Sequence, residues 1–181
     1  MSKRATIVVD LQRDYLGTGR MPLSGIDAAV ANAARVIEAS RNRGEPVVHV
    51  RHEFTGPDAP FFAAGSEGAE IIPDVAPLQG EAIVTKHFPN SFRESALKQV
   101  LEEAGVGQVV IVGAMSHMCI DATARAAADL GYEVTVVHDA CATCDLEFGD
   151  TRVPAEQAHA TLMSALAFAY AKVVPTHDHI G

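Results

Sequence analysis

The sequence has no apolar run near the roughly 20 residues needed to cross a bilayer. It also has no block of lysine or arginine, and 14 basic against 23 acidic residues leave a net charge of −9. That balance argues against nucleic acid and an anionic membrane as main partners. Cysteine is scarce. Three in 181 residues is an odd number in a long chain, and this argues against a disulfide framework. There is no internal repeat and no low-complexity segment. Only Met1-Ser-Lys-Arg precedes the first expected strand at Ala5, too short for the apolar core of a secretion signal. The expected location is therefore cytoplasmic. Length predicts one domain over residues 1–181, and 48% apolar residues are enough for a packed core.

What is present is an alternation of short apolar runs and helical patterns. Strands are expected at 5–10, 46–51, 81–86, 108–112, 132–137 and 172–175. Helices are expected from Ser24, read as an N-cap, to Gly44, then over 94–104, 120–130 and 154–170. No G-x-G-x-x-G follows the first strand, so the dinucleotide fingerprint is missing. Residues 52–80 form a long irregular loop that includes Gly56, Pro57, Pro60, Gly65 and Pro73, and a loop of that length in a compact domain is usually functional. A second loop, 139–153, holds Cys141 and Cys144. Strands alternating with helices predict an α/β fold with a parallel sheet covered on both faces. In such sheets the site lies beyond the carboxyl ends of the strands.

Three of those ends carry reactive side chains: Asp10, Lys86 and Cys119. Each alone has an ordinary reading, as a turn residue, a solvated cation or a small buried apolar group. Brought to one edge they become a base, a cation and a nucleophile. Cys119 is expected in the first turn of a helix, where the partial positive charge favours thiolate.

At these residues the chain resembles a known family. Asp10-Leu-Gln after a strand, Lys86-His-Phe after another, and Gly113-Ala-Met-Ser-His-Met-Cys119 with Thr123 and Arg125 are similar to the isochorismatase-like cysteine hydrolases, in the same order from Thr6 to about Thr176. The resemblance implies a three-layer α/β/α, Rossmann-like fold with a six-stranded parallel sheet. It implies a catalytic triad of Asp10, Lys86 and Cys119, and an oxyanion hole from the backbone N–H groups of Met115 and Cys119. A cis peptide at Ala114-Met115 and assembly as a homodimer or homotetramer are implied as well. The implied reaction is hydrolysis of a C–N bond in a small amide, ureide or carbamoyl compound through a thioester. Two alternatives stand beside it: a vinyl-ether hydrolase of the isochorismatase type, and a non-catalytic or redox-sensing α/β module.

The match departs from metal-binding relatives. Their Asp-x-His after the second strand reads His52 and Phe54 here, and no histidine occurs between Glu53 and Lys86. Phenylalanine does not ligate metal, so neither a metal nor any other cofactor is expected. His52 either has a polar role in the pocket or sits satisfied in the loop. Gln12, Tyr15, Phe61, Phe92 and His117 are further candidates to shape the pocket; for Tyr15 and the phenylalanines plain core packing is an equal reading. Cys141-Ala-Thr-Cys144 has C-x-x-C spacing but no second pair, and reads as incidental rather than redox or zinc-binding. His177-Asp-His179 is expected in a loosely ordered tail or a subunit contact.

Overall fold

The computed structural model describes residues 3–56 and 58–181; Met1 and Ser2, ahead of the first expected strand, and Pro57 of the long loop lie outside the described residues. In chain order the elements are β1 (Lys3–Val9), α1 (Ile26–Asn42), β2 (Val47–His52), β3 (Ala82–Lys86), α2 (Leu97–Glu103), β4 (Val106–Ala114), α3 (Asp121–Asp129) and β5 (Glu133–Ala142). There follow β6 (Leu146–Phe148), β7 (Thr151–Val153), α4 (Ala155–Ala169), β8 (Lys172–Val174) and α5 (Thr176–Ile180). Six strands make one sheet in the order β3-β2-β1-β4-β5-β8, and every pairing is parallel.

The strands are runs of Val, Ile and Ala with both faces covered, as parallel sheets require. One face packs under α1 through Val30, Ala33, Val36 and Ile37. The other packs under α2, α3 and α4 through Leu97, Leu101, Ala124, Ala127, Met163 and Leu166. The strand order reverses direction between β1 and β4, and this switch point is where the backbones come closest. Gly113 sits there at φ +132°, and a Cβ at that position would overlap the Val9 carbonyl. Only glycine fits.

Several boundaries differ from the sequence reading, each for a local reason. Helix α1 is capped by Gly25 in the left-handed region, not by Ser24, whose N–H instead donates to Thr143 O. Helix α2 begins at Leu97 rather than Glu94, because Glu94 has φ +50° and Ser95 Oγ accepts the Leu97 N–H. Strand β5 runs on to Ala142 past an irregularity, pairing Cys141 with Gly113, so Cys141 is a strand residue and not a loop residue. The rest of the expected 139–153 loop holds the β6–β7 hairpin. The expected loose tail is helix α5, packed against α1, with Thr176 buried and bonded to Asp139.

The long loop is tied down rather than free. Asp14 accepts the Phe62 N–H at 2.7 Å, and Ile72 N–H donates to Leu11 O at 2.9 Å. These bonds hold Phe62 and Ile72 against the carboxyl end of the sheet.

Candidate active site

Four neighbouring strands each deliver one side chain to the same edge. In spatial order they are Lys86 from the end of β3, His52 from the end of β2, Asp10 just after β1, and Cys119 beyond β4. His52 and Lys86 are register partners. Asp10 leaves β1 with φ +53°, a left-handed conformation that aspartate tolerates better than most residues. After β4 the Ala114–Met115 peptide is cis, and Ser116–Ile120 form a π-helical turn leading into α3. Cys119 lies inside that turn, not in the first turn of an α-helix.

The Lys86 ammonium stands at the centre. Its Nζ is 2.8 Å from Asp10 Oδ2, 3.0 Å from His52 Nδ1, 3.1 Å from Phe88 O and 3.2 Å from Cys119 Sγ. Lys86 and Asp10 are fully buried. Neither Asp10 oxygen has a well-angled hydrogen-bond partner, so the 2.8 Å contact is an ion pair and the carboxylate keeps lone pairs free to take a proton. Asp10, His52 and Cys119 bring three ligand-type atoms within 4.8 Å of one another, which would suit a metal ion. The lysine ammonium already contacts all three, and a second cation there would meet its charge. These residues therefore do not fit a metal while Lys86 is protonated.

The electrostatics correct one expectation. Burial pushes the Cys119 thiol well up, and the Asp10 carboxylate adds to it; Lys86 opposes both without overcoming them. These influences favour the thiol over the thiolate at rest. Burial alone would lower the Lys86 ammonium, but the Asp10 carboxylate opposes it and the group is raised. Burial, and then the Lys86 charge, pushes His52 down to about 4. A neutral His52 that accepts from Lys86 through Nδ1 carries its proton on Nε2, and that nitrogen is buried without a partner.

Above the sulfur is a cavity of about 60 Å³ lined by Tyr15, His52, Phe54, Phe61, Pro89, Met115, Met118 and Cys119. Larger clefts lie elsewhere, of about 530 Å³ beside Arg13 and Arg20 and about 390 Å³ beside His138 and His159. The first is lined by the hydroxyl of Thr18, and the second by those of Ser24 and Thr143 and by Cys141, whose thiol is pushed up to about 12 by burial and donates to Val137 O. Neither sets a nucleophile against a buried carboxylate–ammonium pair, as the small cavity does.

Of the residues singled out in the sequence, Asp10, Lys86, Cys119 and His52 meet at the strand ends, and Tyr15, Phe61 and Met115 line the cavity. Three do not reach it. Gln12 is fully buried, with its amide donating to His52 O and Ala69 O and accepting the His52 N–H, all at 2.8 Å. Phe92 stacks on Tyr132 in the core under α2 and α3. His117 bonds Thr143 at 2.6 Å. Phe54 and Met118 were not anticipated. Phe54, which cannot ligate a metal, packs its ring on His52 at 4.6 Å and Phe61 at 5.2 Å.

Known proteins place this arrangement in a class. The Isochorismatase domain family matches residues 4–178, and the chain belongs to that family. An isochorismatase family protein of Bacillus subtilis, YddQ, is 46% identical over 172 residues, covering 95% of this chain and 96% of its own. A crystal structure from Oleispira antarctica assigned to the isochorismatase hydrolases superposes with a TM-score of 0.96 at 53% identity, covering 99% of this chain and 96% of the other. N-carbamoylsarcosine amidase from Thermoplasma acidophilum superposes with a TM-score of 0.82 at 26% identity, covering 96% of each chain. Ureidoacrylate and maleamate amidohydrolases are also among the relatives, at 28% and 30% identity. The protein is a hydrolase of this family with amidohydrolase homologues.

Proposed function

We propose that this hydrolase cleaves the C–N bond of a small amide, ureide or carbamoyl compound, with Cys119 as nucleophile. The observation that carries this reading is one ammonium, on Lys86, in contact with both the Asp10 carboxylate and the Cys119 sulfur at the floor of a cavity. Because the sulfur rests as a thiol, proton loss accompanies attack. Asp10 takes the thiol proton as sulfur bonds to the carbonyl carbon, and Lys86 stabilises the charge on sulfur during the transfer. The backbone N–H groups of Met115 and Cys119 are the proposed oxyanion donors. Asp10 then protonates the leaving nitrogen, and ammonia or an amine departs. It next removes a proton from water, whose oxygen attacks the thioester; the acid leaves and the thiol is restored.

Amidases among the relatives support C–N cleavage over vinyl-ether cleavage. The test is intact-mass trapping of an acyl group on Cys119 with a panel of small amides, together with Cys119→Ala. The variant should fold and release no ammonia. Wild-type rates in that variant would overturn the covalent route.

A further inference from the structure

The cavity over Cys119 limits what the substrate's acyl half can be. At about 10–15 Å³ for each water-sized occupant, its 60 Å³ holds about four to six non-hydrogen atoms. Its upper walls are carbon and sulfur: the rings of Phe54 and Phe61 and the side chains of Met115 and Met118. Tyr15 and His52 add polar atoms but no charge. Burial, and then Asp10, holds the Tyr15 hydroxyl in its neutral form, and His52 is a neutral imidazole. Among the described residues no arginine and no second lysine lines the cavity. The one cation beneath it, Lys86, already serves Asp10, His52, Phe88 O and Cys119 with three N–H bonds.

We propose that the substrate is a short uncharged amide with an apolar acyl group, and that amides carrying a carboxylate are rejected. This rests on the hydrolase reading above. A substrate carboxylate would enter an apolar cavity whose nearest cation, Lys86, is already paired with Asp10, and an unpaired buried charge is costly. The same feature assists turnover. Hydrolysis converts the neutral amide and water into a carboxylate and ammonium, and the new anion stands in an apolar cavity whose nearest cation, Lys86, is already paired with Asp10, which drives its release. The unpartnered Nε2–H of His52 is a buried donor for a neutral polar atom of the substrate.

The test compares isovaleramide with malonamate, the same size but ended by a carboxylate in place of an isopropyl group, and with phenylacetamide, which is too large. Ammonia release gives kcat/KM, and intact mass reports acylation of Cys119. Isovaleramide should exceed malonamate by on the order of 100-fold or more, the scale of leaving a charge unpaired in an apolar site. Phenylacetamide should fall below isovaleramide. Phe54→Arg, which adds a cation to the wall, should shift the ratio toward malonamate. If malonamate acylates Cys119 as well as isovaleramide does, the substrate class is wrong and the cysteine mechanism stands. If no amide acylates Cys119 or releases ammonia, both readings fall.

Discussion

Lys86 Nζ lies 2.8 Å from Asp10 Oδ2, and both side chains are completely buried. Charges in that position stabilise little as a pair but are costly when separated. Lys86→Met leaves a buried carboxylate without its cation and should cost about 3–5 kcal/mol of folding stability. Asp10→Asn leaves a buried ammonium and should cost a similar amount. The double variant removes both charges and should be more stable than the sum of the two losses predicts. Urea unfolding at pH 7 measures all four proteins. Additive losses would show that the two groups are not coupled.

Cys119 should alkylate slowly despite its place in the site. Its thiol is raised by burial and by Asp10, so the thiolate fraction at pH 7.5 is below that of an ordinary cysteine near 8.5. Iodoacetamide labelling, read on the Cys119 peptide by mass spectrometry, should therefore be slower than for free cysteine. Asp10→Asn should speed it, because the repelling charge is gone, and Lys86→Met should slow it further. Fast labelling of the wild type near pH 7 would contradict the protonated resting state.

The clustering of Asp10, Lys86 and Cys119 is legible because strand ends in a parallel sheet must share one edge, so three polar residues ending three apolar runs already imply it. His52 was only half legible. Ending the second strand at Arg51 put His52 in the loop; one more residue of pairing, opposite Lys86, makes it a fourth strand end between Lys86 and Asp10. Gln12 and Phe92 misled because polar or aromatic residues near a nucleophile read the same whether they face the cavity or the packing behind it. The thiol's protonation misled for a different reason. The helix-end argument counts a partial positive charge, whereas burial beside a full negative charge acts in the opposite direction and is larger.

His52 should stay neutral well below the usual histidine range. Its imidazole is pushed down to about 4 by burial and the Lys86 charge, against about 6.5 unfolded. The unfolded chain then binds a proton that the native chain refuses. A depressed native value means the stabilising contribution is complete above pH 6.5 and is lost as pH falls toward 4. The loss is about 1.4 kcal/mol per pH unit in that window for one proton. His49, His117, His159 and His179 are also lowered by burial and act in the same direction. Nitrogen NMR should show His52 protonated on Nε2 and unchanged from pH 8 to 5. Unfolding midpoints should drop across the same interval. A His52 that titrates near 6.5 would remove its share of the effect.

Gln12 should prove to be a positioning residue rather than a pocket residue. Its amide closes three 2.8 Å bonds: it accepts the His52 N–H and donates to His52 O and Ala69 O. It therefore joins the end of β2 to the long loop that carries Phe54 and Phe61. Gln12→Ala leaves one buried N–H and two carbonyls short of partners and should cost about 2–4 kcal/mol. Gln12→Glu keeps an acceptor for the N–H but aims a carboxylate at two carbonyl oxygens, so it should be no better than alanine. Both variants should speed amide hydrogen exchange over residues 67–72 and lower kcat/KM, because His52 and the cavity wall lose their anchor while Asp10, Lys86 and Cys119 remain. If Gln12→Ala loses activity with unchanged stability and exchange, Gln12 contacts substrate instead.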